Sequence, residues 1–167
     1  MCPIETSGNQ RTVKLLVIFI IPSMVSVMAL TLGAGAFMVL LSEEVAQANP
    51  DIAFMRLPVL LIAEAVLLFF FVACALSIPL LSRVYKSRIY GGNSSQLLRW
   101  MGLSFFAMIP LLIGLLFYTK AHVAGAITNL YCLLGAGIAF AAGCILFLFA
   151  HLIAQGADYK QEVDLTV

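Results

Sequence analysis

The chain has 167 residues, of which 63% are hydrophobic and 10% are charged, and its mean hydropathy is +1.08. Soluble domains are about 45–50% apolar and about 25% charged, so this composition excludes an ordinary soluble domain and a disordered chain. The net charge of +1 also excludes a nucleic-acid-binding protein that acts through net positive charge, and the composition indicates a membrane protein.

Four apolar tracts follow one another along the chain, and each is long enough to cross a membrane as a helix. The first has 27 residues and no charged side chain, so its helix would be about 40 Å long, more than the roughly 30 Å hydrocarbon core requires. It is too long for a secretory signal peptide, whose apolar region usually has about 7–15 residues. The predicted spans are residues 15–41, 57–81, 100–119 and 126–153.

The predicted fold class is an all-α integral membrane protein, with one membrane domain of residues 1–167 and four transmembrane helices in a bundle. Lys and Arg favour the cytoplasmic side of a membrane. Seven of the nine basic residues fall on the side that carries both termini, and two fall on the other side. We therefore expect cytoplasmic termini, an outer loop at 42–56, a cytoplasmic loop at 82–99 and a cytoplasmic tail at 154–167.

The four cysteines form neither a metal-binding nor a disulfide pattern, because no pair has CxxC spacing. Cys132 and Cys144 would lie about 18 Å apart along one helix, too far to pair. The sequence contains no HExxH, P-loop, GxSxG or dinucleotide-binding motif, and membrane enzymes usually carry several intramembrane acids or histidines. We expect no enzymatic activity, no cofactor and no metal site.

Glu64 is the one acidic residue inside a predicted span. A charged side chain at the centre of a transmembrane helix costs about 2.5–3.5 kcal/mol on insertion scales, so such a residue warrants a functional hypothesis. His122, Thr128 and Asn129 are predicted to lie at a similar depth and to form a polar cluster with Glu64. The cluster is interpreted either as a hydrogen bond that holds helices together or as a site for a proton, a cation or a ligand.

Small residues recur on the fourth span, and Gly135, Ala139 and Gly143 are spaced four residues apart. Such a stripe permits close approach of two helix backbones. It is interpreted as a contact within the bundle, and the alternative is a contact between two copies of the chain.

Arg83, Lys86 and Arg88 lie in the predicted cytoplasmic loop. They are interpreted either as a basic anchor at the membrane surface or as a surface that binds a partner or anionic lipid. Asp164, Leu165 and Val167 lie in the acidic tail, which membrane insertion does not require. The tail is interpreted either as a solvated end or as an extended segment whose alternate apolar residues bind a soluble partner as a strand.

Three segments resemble a bacterial family catalogued as domain of unknown function 2975. They are the linker 84–90 (VYKSRIY), the helix start 93–102 (NSSQLLRWMG) and the end 163–167 (VDLTV). Tyr90, Leu98, Arg99 and the residues 164–167 occupy positions that match the family pattern. Gly91 and Gly92 depart from it, at positions where members of the family tend to have Ser and acidic residues.

The resemblance implies a multi-pass membrane protein without an assigned activity. Its members are frequently encoded beside a small helix-turn-helix regulator, which implies a membrane partner for such a regulator rather than direct nucleic-acid binding. We therefore expect a non-enzymatic protein of the bacterial cytoplasmic membrane that acts through its cytoplasmic loop and tail. The alternative is a small transporter or channel subunit that uses the cluster around Glu64, and a homo-oligomer is possible in either case.

Overall fold

The computed structural model describes residues 5–85, 94–123 and 127–165, and in these ranges the chain is helical without a strand. Four long helices, each apolar and long enough to cross a membrane, account for almost all of it. Helix α1 spans Glu5–Ala48, α2 spans Arg56–Tyr85, α3 spans Ser94–His122 and α4 spans Thr128–Leu165. The all-α fold class with four membrane-spanning helices is confirmed.

The helices continue beyond the apolar tracts from which the spans were predicted. Helix α1 runs to Ala48, so residues 42–48 of the predicted outer loop are helical, and a 3₁₀ helix at Pro50–Met55 occupies most of the remainder. Pro50 accounts for the end of α1, because a proline ring disfavours the helical conformation in the preceding residue. Asn49 accordingly has φ −134° and ψ 80°, outside the helical region.

The tail was interpreted either as a solvated end or as an extended segment, and the extended interpretation is wrong for the residues up to Leu165. Helix α4 continues without interruption from its apolar part to Leu165. Its backbone N–H and C=O groups can bond within the helix, which removes the need for a strand partner. The interpretation as an added strand with a period of two therefore has no basis in this segment.

Neighbouring helices run antiparallel and pack in chain order. Gly35 of α1 lies against Glu64 of α2, whereas Ser42, further along α1, bonds Arg56 at the start of α2. Helix α2 packs against α3 and α3 against α4, while no described Cα of α1 lies within 8 Å of one in α3 or α4. Both termini and the α2–α3 connection therefore lie at one end, the terminal end, and the other two connections lie at the opposite end, the Arg56 end.

The α3–α4 interface is the most extensive contact between the described helices, and glycines in it admit aromatic rings. A Cβ atom built on Gly143 would lie 2.9 Å from the Phe106 ring, and one built on Gly102 would lie 2.8 Å from the Phe147 ring. The Phe106 and Phe147 rings also contact each other, with centroids 5.6 Å apart. Each helix thus contributes a glycine opposite an aromatic ring of its partner.

A second apolar cluster joins α2, α3 and α4 near the terminal end. Leu98 and Met101 of α3 and Ala150 of α4 are buried at its centre. Side chains of α2 and α4 complete it, namely Leu76, Leu80, Leu146 and Ile153. No side chain described on α1 belongs to this cluster, so among the described residues α2 to α4 form the better packed portion of the fold.

Large apolar side chains are exposed along the helices, for example Phe19 and Leu30 on α1 and Ile138 on α4. Such a surface suits hydrocarbon rather than water.

Replacing Gly143 by Leu should destabilise the fold, because the larger side chain must displace the Phe106 ring or separate α3 from α4. We expect a loss of about 1–3 kcal/mol, the usual cost of overpacking. The measurement is thermal unfolding in detergent. The matched control is Gly137→Leu on the same helix, since no atom lies within 4 Å of a Cβ at Gly137. Equal melting temperatures for the two variants would contradict close packing at Gly143.

Candidate functional site

The Glu64 carboxyl group lies in the interface between α1 and α2. Its Oε1 atom is buried and has no hydrogen-bond partner within the described part of the chain. An unsatisfied buried polar atom costs free energy, so its retention points to a role beyond hydrophobic packing. This carboxyl group is the first component of the candidate site.

Gly35 provides the space that the carboxyl group occupies. Gly35 is buried, and a Cβ atom at this position would lie 3.0 Å from Glu64 Oε2 and 3.4 Å from Oε1. Any larger residue would press against the carboxyl group. The sequence indicated Glu64 but not Gly35, because a glycine in an apolar tract gives no sign of which residue of another helix it faces.

The predicted polar cluster is divided in the structure, and its members on α3 and α4 do not hydrogen-bond Glu64. The Thr119 hydroxyl lies 2.7 Å from Asn129 Oδ1 and 2.9 Å from the Leu115 carbonyl oxygen, and its single proton can be donated to one of them. Asn129 is thus engaged between α3 and α4. The physical reason is the direction of Glu64, whose carboxyl group lies against α1.

His122 belongs to an aromatic group at the Arg56 end. Its Nδ1 lies 2.9 Å from the backbone oxygen of Tyr118, a distance at which Nδ1–H donates to that carbonyl. Its ring centroid lies 5.6 Å from that of Phe54 and 4.7 Å from that of Tyr118. These contacts join the end of α3 to the 3₁₀ helix between α1 and α2.

Arg56 fastens the α1–α2 hairpin. Its Nε donates to Ser42 Oγ over 3.1 Å, and its Nη2 donates to Glu43 Oε1 over 2.8 Å. The Arg56 side chain is 31% exposed and the Glu43 side chain is 53% exposed. Solvent therefore screens the ion pair, which limits its contribution to stability to less than about 1 kcal/mol. The contact nevertheless sets the position of the guanidinium group beside the cavity described next.

A cavity of about 310 Å³ lies beside Arg56, between α1, α2 and the α3–α4 connection. Thr128 lies on its wall, as does Thr119, whereas Ala63 rather than Glu64 is the nearby α2 residue that lines it. The cavity is thus adjacent to Glu64 but separate from it. We refer to it as the Arg56 cavity.

The small-residue stripe on α4 faces α3. Ala139 and Gly143 are buried, and a Cβ at Gly135 would make ordinary contact with Leu112, at 3.5 Å. Cys132, on the same face, is also buried. These residues therefore pack within the chain, at the interface between α3 and α4.

The residues proposed to contact a partner are only partly described. Arg83 lies in the last turn of α2 and is half-buried. Lys86, Arg88 and Val167 lie outside the described residues, while for Asp164 and Leu165 only the helical backbone of α4 is described. Ser94 begins α3 and is completely buried.

Within the described ranges, no three His, Cys, Asp or Glu residues are grouped so as to hold a metal ion. Cys74 and Cys132 are buried, Cys144 is exposed, and all three are free.

A protein family described as "Protein of unknown function (DUF2975)" matches residues 40–167. This range is well over half of the chain, so the protein belongs to that family, and the resemblance is confirmed. The match begins near the end of α1 and therefore covers Arg56, Glu64 and α2 to α4, but not Gly35. No curated protein and no solved structure matches the chain.

Replacing Gly35 by Ala should lower stability relative to the same change at Gly33. Alanine stabilises a helix over glycine by up to about 1 kcal/mol, and nothing lies within 4 Å of a Cβ at Gly33, so Gly33→Ala should be neutral or stabilising. Gly35→Ala should lose this gain, a difference of about 1 kcal/mol, because its Cβ requires the Glu64 carboxyl oxygens to move by a few tenths of an ångström.

Thermal unfolding of both variants in detergent measures the difference, which should disappear in a Glu64→Ala background. A difference that persists without the carboxyl group would show that Gly35 is required for another reason.

Proposed function

We propose that this chain is a non-enzymatic multi-pass protein of the bacterial cytoplasmic membrane that binds a cytoplasmic helix-turn-helix regulator at its terminal end. The contact would involve Arg83, Lys86 and Arg88 of the α2–α3 connection together with Asp164, Leu165 and Val167. Membership of the family supports a multi-pass membrane protein. The regulator is the partner that the resemblance implies.

The length of the helices at the terminal end is the observation that carries the proposal. Helix α1 begins at Glu5, ten residues before the apolar tract that starts at Leu15. The apolar part of α4 ends before Asp158, but the helix continues to Leu165. Two polar helical extensions are thus available at this end, whereas the connection between α1 and α2 at the Arg56 end is short. The larger of the two surfaces that this protein offers to a water-soluble partner therefore lies at the terminal end.

The distribution of charged residues along the sequence also supports the terminal end as the place where the partner binds. Seven of the nine basic residues lie at the terminal end, which favours a cytoplasmic position. The α4 extension carries Asp158, Glu162 and Asp164 against one Lys160, so it is repelled from an anionic membrane surface. The acidic sequence of this extension and the basic sequence between α2 and α3 together offer charges of both signs to a partner.

Deleting residues 164–167, or replacing Arg83 by Glu, should reduce capture of the regulator about fivefold or more, as expected for a loss of roughly 1 kcal/mol of binding free energy. The measurement is crosslinking and affinity capture from membranes, with the captured proteins identified by mass spectrometry. Lys120→Glu is the matched control, because it makes the same charge reversal on an exposed residue at the Arg56 end.

Orientation is checked in the same cells, in a cysteine-free background, with an impermeant thiol reagent. Gln96→Cys at the terminal end should be protected in intact cells, and Gln47→Cys at the Arg56 end should react, since both residues are exposed. Labelling of Gln96→Cys from outside, or capture that is unaffected by the deletion and by Arg83→Glu, would refute the proposal.

The second candidate function is a small transporter or channel subunit, and the buried, unpartnered Oε1 of Glu64 favours it. Transport sites usually combine several polar groups near the middle of the membrane. Here Asn129 is held by Thr119, and the described hydrogen bonds of His122 are local to α3. The proposal that relies on partner binding therefore ranks first.

Reconstituted protein separates the two functions. We expect no proton- or cation-driven flux into proteoliposomes, and we expect Glu64→Gln to keep the fold because an amide has similar size and can still hydrogen-bond. Flux in the wild type that Glu64→Gln abolishes, with unchanged thermal unfolding, would establish the transport function instead.

A further inference from the structure

The Arg56 cavity is lined mainly by apolar side chains. Leu41 and Val45 of α1 face Val59 and Leu60 of α2 across it, and Val123 lies at the α3–α4 connection. Its volume of about 310 Å³ is at the lower end of the range for small-molecule sites, roughly 300–1,000 Å³. A void with this lining offers water few hydrogen-bond partners, so an apolar occupant is favoured.

The position of the cavity selects hydrocarbon as that occupant. The lining residues of α1 and those of α2 all belong to segments able to cross a membrane, Val17–Ala48 and Ala53–Tyr85. From Arg56 to Ala63 the cavity follows α2 for about 10 Å, from the end of the helix inward. Because α1 does not approach α3 or α4 within 8 Å, no close helix pair seals the cavity on the side between them.

A cationic group stands at the polar end of this apolar space. A guanidinium group has five N–H donors, and the two contacts to Ser42 and Glu43 leave others free. Free guanidinium donors match the geometry of phosphate oxygens. An apolar cavity that begins at an arginine and extends inward has the polarity of a phospholipid, with a phosphate at one end and an acyl chain at the other.

We propose that the Arg56 cavity binds one phospholipid of the surrounding membrane, with an acyl chain between α1 and α2 and the phosphate group at Arg56. The lipid completes the contact of α1 with the rest of the protein, since α2 is the one long helix that the described Cα atoms of α1 approach within 8 Å. This inference concerns the Arg56 end and is independent of partner binding at the terminal end.

The test uses full-length protein taken from phosphatidylethanolamine vesicles into mild detergent, and native mass spectrometry counts the phospholipid retained per chain. Wild-type protein should retain one molecule. Ala63→Phe and Ala46→Phe fill the cavity from two different helices and should each abolish retention, so that either variant suffices if the other does not fold. The matched controls are Leu61→Phe and Ala48→Phe, which place the same ring on exposed positions of the same helices and should retain the lipid.

Two further variants test whether Arg56 contacts the phosphate group. Arg56→Gln should weaken retention of phosphatidylethanolamine roughly tenfold, as expected for loss of a charge-assisted hydrogen bond. Glu43→Gln removes the same ion pair but leaves the guanidinium charge, and should not weaken retention. An equal loss in both variants would show that the hairpin contact, and not a phosphate contact, is responsible.

Three further results would overturn the proposal. They are wild-type protein without bound phospholipid, occupancy by detergent or by a fatty acid that lacks phosphate, and equal retention by the cavity-filling variants and their controls.

Discussion

The absence of water from the hydrocarbon core of a membrane is the constraint on which the rest of this structure depends. Every backbone N–H and C=O group in the four apolar tracts must be satisfied inside the protein, which leaves the helix as the solution for each tract. Lipid is as apolar as leucine, so hydrophobic burial does not then drive the helices together. Close van der Waals packing must do so, and the reciprocal contacts of Gly102 with Phe147 and of Gly143 with Phe106 supply it between α3 and α4.

Packing in chain order has unequal consequences for the four helices. Helices α2, α3 and α4 share the cluster around Leu98 and Ala150, whereas α1 contacts α2 alone among the long helices. Two polar groups, Glu64 and Arg56, lie on this less packed side. Glu64 meets Gly35 there, and Arg56 holds the hairpin where the cavity opens. A helix with few close contacts leaves room for groups that a tightly packed interface would exclude.

The two ends of the protein differ in what they present. The terminal end carries helical extensions and most of the basic residues, which suits contact with a soluble protein. The Arg56 end has a short 3₁₀ connection, an ion pair and an apolar cavity, which suits contact with lipid. The family match at residues 40–167 includes both ends except for most of α1.

The sequence by itself determined the number of helices and their approximate positions, and it singled out Glu64 as the one acidic residue within a predicted span. Length and hydropathy suffice for this, because a helix satisfies its backbone locally and needs no knowledge of its neighbours. Only the tertiary structure decided which groups meet. The rotation of α2 directs Glu64 toward Gly35 and away from Asn129, and α4 remains helical to Leu165, where an extended tail was one of the two interpretations. The direction of a side chain around its helix and the approach of a second helix are relations between distant segments, and in tracts that are apolar on all sides no periodic pattern encodes them.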